Sequence, residues 1–123
     1  MNDDKVRVLV VDDERDGADS LAELLTLSGY DAEVAYGGVE ALEKVEAHRP
    51  HCVLLDVGMP GMDGGELTQR LRALYGDDIV LVAITGRASD DTRVVPTFAL
   101  VDHYLQKPVD PAKLRKLLPN QAG

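Results

Sequence analysis

Asp12, Asp13, Asp56, Thr85 and Lys107 are the residues of this sequence whose types and placement could do chemistry together. Each stands where a short apolar run ends. Asp12 and Asp13 follow VRVLVV (Val6 to Val11), Asp56 follows CVLL (Cys52 to Leu55), Thr85 closes IVLVAI (Ile79 to Ile84), and Lys107 follows the short run Tyr104 to Gln106. Three carboxylates brought close together repel, and each raises its neighbours' proton affinity. A divalent cation resolves that conflict. A ligand set of oxygens without His or Cys favours a hard ion, and one or two carboxylates plus waters describe Mg2+ better than an all-protein calcium cage. What remains is a carboxylate nucleophile beside a cation, a hydroxyl and an ammonium group. That set suits transfer of a phosphoryl group onto Asp56, with its equatorial oxygens neutralised by the metal, Thr85 and Lys107.

The elements that would position these residues can be read from the spacing of apolar side chains. Val6 to Val11 is almost uniformly β-branched, as a parallel strand covered on both faces should be. Ala18, Leu21 and Leu25 then recur at helical spacing with Leu24 beside them, and Gly29 supplies a stop. Tyr30 to Tyr36 alternates and carries charge, in the manner of a strand near a sheet edge. Val39, Leu42 and Val45 mark a second helix that Arg49-Pro50 ends. After the strand that delivers Asp56 comes a turn-rich stretch, Gly58 to Gly65, and then a helix with Leu67, Leu71 and Leu74 on one face and Gly76 at its end. Asp110 as N-cap and Pro111 at the first helical position open a last helix, buried through Leu114, Leu117 and Leu118. Between Arg87 and Leu100 the pattern is interrupted: Ser89-Asp90-Asp91 reads as a helix cap, yet Pro96 falls in the middle of the helix it would open. That helix is expected to be short or displaced.

Five strands alternate with five helices. Parallel strands need helical crossovers, so the expected fold class is α/β, a three-layer, doubly wound, flavodoxin-like parallel sheet. In such a sheet the strand ends meet at one edge, and the first and third strands are neighbours at the switch point where ligands bind.

Composition limits the alternatives. With 123 residues, 45% of them hydrophobic and 28% charged, the chain is one globular domain rather than a disordered tail. A net charge of −9 argues against direct nucleic-acid binding, because no basic stripe is available to displace counterions from phosphates. It suggests a cation or a basic partner surface instead. No apolar run approaches the roughly 18 residues of a membrane span, no signal peptide is evident, and the single cysteine, Cys52, excludes an internal disulfide. A cytoplasmic location is expected. His48, His51 and His103 show no metal-ligand spacing and are expected on the surface or rim.

Four segments in this order, VLVVDDE at 8–14, LLDVGMPGMDG at 54–64, AITG at 83–86 and LQKP at 105–108, resemble the receiver domain of bacterial two-component response regulators. The resemblance spans residues 1–119 and leaves 120–123 as a short tail. It implies strand order 2-1-3-4-5 and a phosphoryl group accepted by Asp56 from a phosphohistidine on a sensor histidine kinase or histidine phosphotransfer protein. It also implies Mg2+ held by Asp12, Asp13, Asp56 and the backbone carbonyl of Gly58, Thr85 swinging toward the phosphoryl group, Lys107 pairing with it, and Tyr104 changing rotamer. The Lys107-Pro108 peptide would be cis. The chain departs from many receivers in carrying Ala99-Leu100 where they have a small pair, and in placing Gly58 and Arg87 along the route of an attacking water. On this resemblance the protein signals to a downstream partner and is not an enzyme that turns over a diffusing substrate.

Each residue also has a structural reading. Asp12 could cap a helix, Asp56 could shape a turn, and Thr85, Lys107 and Tyr104 could be ordinary strand-end residues. Two other functions compete. A receiver-shaped adaptor that binds partners without phosphorylation could lose the charged set freely. A phosphatase with an aspartyl-phosphate intermediate would want a second acid where Gly58 stands.

Overall fold

A computed structural model describes residues 6–56, 64–85, 101–106 and 109–118. In chain order these form β1 (Arg7–Val11), α1 (Arg15–Leu27), β2 (Asp31–Ala35), α2 (Gly38–His48), β3 (Cys52–Asp56), α3 (Gly64–Tyr75), β4 (Val80–Thr85), β5 (His103–Gln106) and α4 (Pro111–Leu117). The five strands make one parallel sheet in the order β2-β1-β3-β4-β5. This is the flavodoxin-like order, with β1 and β3 adjacent at the switch point. The interrupted helix expected around Pro96 lies outside the described residues.

Strand periodicity divides the core into two layers. In β1, Val8 and Val10 face one side with Leu54 of β3, Val82 of β4, and Ala18, Ala22 and Leu25 of α1. Leu114 of α4 closes that layer. Leu9 and Val11 face the other side, packed with Val53, Leu55, Ala41 and Val45 of α2, and Leu67 and Leu71 of α3. Successive residues of a strand point to opposite faces, so an unbroken apolar run fills both layers. Cys52 lies in the first layer, and burial pushes its thiol well above the ordinary range, which makes it a packing residue.

Helix ends follow the expected residues with informative differences. Gly29 and Gly76 take positive φ after α1 and α3, the left-handed conformation that glycine adopts without a Cβ clash. Arg49 takes the same conformation (φ 52°) at the end of α2. The Asp110 side chain accepts the Ala112 N–H at 2.9 Å and caps α4.

The helix faces are rotated from the leucine pattern. Val39 is 63% exposed and Leu74 65% exposed, so α2 buries Gly38, Ala41 and Val45, and α3 turns Leu67 and Leu71 inward. Small residues at the contact let α2 approach the sheet, which leaves Val39 no layer to enter. His48 is not a rim residue. Its side chain is only 9% exposed, and Nδ1 lies 2.9 Å from Glu33 Oε2.

Candidate functional site

The site is built at the carboxyl edge of β1 and β3. Their register pairs Val11 with Leu55, and one residue further the two strands deliver Asp12 and Asp56 side by side. The Asp12 N–H donates to Ala35 O at 3.1 Å, tying the end of β1 to the end of β2. Asp12 Oδ1 accepts the Glu14 N–H at 2.9 Å, a short-range turn that starts α1. The N-cap of α1 is Glu14, two residues further on, so the Asp12 carboxylate shapes the turn that leads into α1 rather than capping the helix, while standing at the site. Asp12 is 8% exposed, Asp13 is exposed, and Asp56 is intermediate.

Carboxylate oxygens of Asp12, Asp13 and Asp56 all lie within 4.8 Å of one another. Negative charges at that separation repel by more than a kcal/mol per pair in the partly screened surroundings of a protein surface. The donors are oxygens only, contributed by three carboxylates, and this set fits a hard divalent cation such as Mg2+. A cavity of about 530 Å³ opens beside them, lined by Asp12, Glu14, Asp56, Gly17 and Ser20 with Leu21, Leu24 and Val109.

Gly17 was not singled out by sequence reasoning. A Cβ there would lie 3.0 Å from Glu14 Oε1 and 3.9 Å from Asp12 Oδ2. Glycine thus lets the first turn of α1 pass close to the acids. The signal was a glycine inside a run of helix formers, where it is otherwise unfavourable.

The remaining expected site residues are placed in part. The backbone of Thr85 closes β4 opposite Gln106, and the backbone of Tyr104 lies in β5 opposite Ala83, so both strands run to the same edge as Asp56. The side chains of Thr85 and Tyr104, and the whole of Gly58, Lys107 and Pro108, lie outside the described residues.

A doubly wound parallel sheet with a carboxylate cluster at its switch point defines a class of α/β domains with a candidate cation site. Within that class, the family model of the response regulator receiver domain matches residues 8–119, and the chain belongs to this family. Over 103 residues it is 46% identical to the response regulator MprA of Mycobacterium ulcerans (strain Agy99), covering 84% of this chain and 44% of that protein. The chain thus spans less than half the length of the curated relatives it matches. Among solved structures, it is similar to a CheY-like receiver domain protein of Methanospirillum hungatei JF-1. That match has 33% identity and a TM-score of 0.81, covering 91% of this chain and 89% of the other. It is also similar to the Vibrio cholerae chemotaxis protein CheY4, with 29% identity and a TM-score of 0.81, covering 91% and 94%.

Proposed function

We propose that this chain is a phosphorylation-activated switch of a two-component phosphorelay. Asp56 accepts a phosphoryl group from a phosphohistidine on a sensor histidine kinase or histidine phosphotransfer protein. The observation that carries this reading is the convergence of the Asp12, Asp13 and Asp56 carboxylates within 4.8 Å at the switch point of the sheet. Membership of the receiver family supports it.

In this mechanism a carboxylate oxygen of Asp56 attacks phosphorus in line. The O–P bond forms as the P–N bond to the donor imidazole breaks, and the imidazole leaves with the electron pair and takes up a proton. Asp12, Asp13 and Asp56, with the Gly58 carbonyl, would hold Mg2+, which when bound would supply positive charge to offset that of the phosphoryl oxygens. Asp12 is fixed in advance by the Ala35 carbonyl and the Glu14 N–H, so little reorganisation is needed when the cation arrives. Thr85 donates its hydroxyl to one phosphoryl oxygen and Lys107 places its ammonium on another. Movement of Thr85 and Tyr104 then carries the change to a protein target. The protein catalyses only its own phosphorylation and dephosphorylation. It works in the cytoplasm through protein partners and makes no direct contact with nucleic acid.

Intact mass after exposure to acetyl phosphate tests this reading. Wild type should gain one phosphoryl group only with Mg2+ present, and Asp56→Asn should gain none. Incorporation that survives either the removal of Mg2+ or the loss of Asp56 would overturn it.

A further inference from the structure

The acid cluster poses a problem for its own substrate. A phosphoryl donor is anionic, the chain carries a net charge of −9, and three carboxylates line the place where the donor must arrive. Electrostatic repulsion slows such encounters unless positive charge is presented nearby.

Arg15 stands close to these acids in the chain. It is the first residue of α1, two beyond Asp13. Its guanidinium lies over the Tyr36 ring, 4.2 Å from the centroid. Tyr36 directly follows Ala35, whose carbonyl accepts the Asp12 N–H, so the platform and the acids share one sheet edge. That platform is fixed at two points. The Tyr36 hydroxyl donates to Asp19 Oδ1 at 2.6 Å, and its backbone N–H donates to Glu40 Oε1 at 2.7 Å.

Several of the other cations are already engaged. Lys44 pairs with Glu33 and Glu40, Arg70 with Glu66, and Arg72 with Asp102. Arg7 is taken by the carbonyls of His48 and Arg49. Among the described residues Arg15 makes no ion pair, which is also true of Arg49, Lys113, Arg115 and Lys116, but of these it alone adjoins the acids in the chain. Asp19, one helical turn on, is the natural partner, but it takes the Tyr36 hydroxyl instead. Stacking on an aromatic face holds a guanidinium in place without neutralising it.

We infer that Arg15, held on Tyr36 at the sheet edge that carries the acid cluster, is a positioning residue that draws the anionic phosphoryl donor toward Asp56. The inference rests on the phosphoryl-transfer reading above. Arg15 does not touch the reacting atoms; its charge acts through space on the donor and, with opposite sign, on the cation.

The test compares wild type, Arg15→Gln and Arg15→Lys in the rate of phosphorylation by acetyl phosphate at low and high ionic strength. Mg2+ affinity is measured by calorimetry on the same proteins. Arg15→Gln should be slower by roughly three-fold at low salt, with the difference closing near 0.5 M salt as the charge is screened. It should bind Mg2+ more tightly, by about two-fold, because a repelling charge is gone. Arg15→Lys should retain most of the wild-type rate. A slower Arg15→Gln whose deficit ignores salt, or one with unchanged Mg2+ affinity, would reduce the Arg15–Tyr36 stack to packing and overturn the inference. Wild type that takes no phosphoryl group would sink the underlying reading itself, whereas phosphorylation at equal rates in wild type and Arg15→Gln would sink only this inference.

Discussion

At the residue scale, the decisive fact is that three carboxylates share one site, although one of them, Asp12, also shapes the start of α1. Held within 4.8 Å of one another, they destabilise the metal-free fold. Asp13 is the exposed member and takes no part in the turn that Asp12 makes with Glu14. Asp13→Asn should therefore raise the stability of the metal-free protein by roughly 1 kcal/mol, read as a higher urea midpoint in the presence of chelator. The same variant should lose most of the stabilisation that added Mg2+ gives wild type. A variant as responsive to Mg2+ as wild type would remove Asp13 from the metal site.

The meeting of these acids was legible in the sequence because each follows an apolar run that reads as a parallel strand, and parallel strands end at one edge. The Arg15–Tyr36–Asp19 arrangement was not legible. It joins residues of α1 to Tyr36, just beyond β2, a contact that depends on how α1 packs beside that strand, and an arginine after three acids reads equally well as a solvated charge. His48 was hidden for the same reason, since its partner Glu33 lies across the join of β2 and α2.

At the element scale, the clearest device is the clamp that starts β5. Asp102 Oδ2 accepts the Leu81 N–H at 2.8 Å and pairs with Arg72 Nη2 at 2.8 Å. Arg72 Nη1 donates to the carbonyls of Gly76 and Ile79. One carboxylate thereby ties the end of α3 and the start of β4 to the short strand β5. Burial alone would raise its pKa, but the Leu81 N–H and the Arg72 guanidinium outweigh burial and hold it below the ordinary carboxylate range. A depressed folded-state pKa contributes stability that is present above the unfolded value, near 3.8, and is lost as pH falls through the folded one. Asp102→Ala should cost about 1–2 kcal/mol at neutral pH, kept modest because the carboxylate is partly open to solvent. The deficit should shrink below about pH 4. Urea titrations of both proteins at pH 7 and pH 3 check this; an equal deficit at both would remove the charge from the explanation. Nothing in the sequence marked Asp102, because an acid before a short strand has no local signature.

At the scale of the whole molecule, the order of the strands followed from the resemblance to receiver domains, while the alternation of strands and helices was readable because short apolar runs, separated by amphipathic helices, leave few ways to cover both faces of a sheet. The rotation of α2 and α3 was less so. Leu74 and Val39 obey helical spacing, yet Leu67, Leu71, Ala41 and Val45 fill the layer first. Packing against a finite sheet, rather than periodicity alone, sets which face is buried. That core carries the site, so its loss should be felt throughout: Leu54→Ala, within the strand that ends in Asp56, should cost about 2–5 kcal/mol, measured by urea unfolding. A loss below 1 kcal/mol would mean that the two layers are less tightly packed than the burial of Leu54 indicates.

The central claim is that the sheet delivers one reactive carboxylate, Asp56, to a cation-binding edge. Protein treated with acetyl phosphate and Mg2+, then reduced with borohydride, converts any acyl phosphate to an alcohol that peptide mass spectrometry can locate. Reduction is predicted at position 56 alone, and only when Mg2+ was present. Reduction at Asp12, Asp13 or elsewhere in place of Asp56, or none in folded protein, would contradict the account.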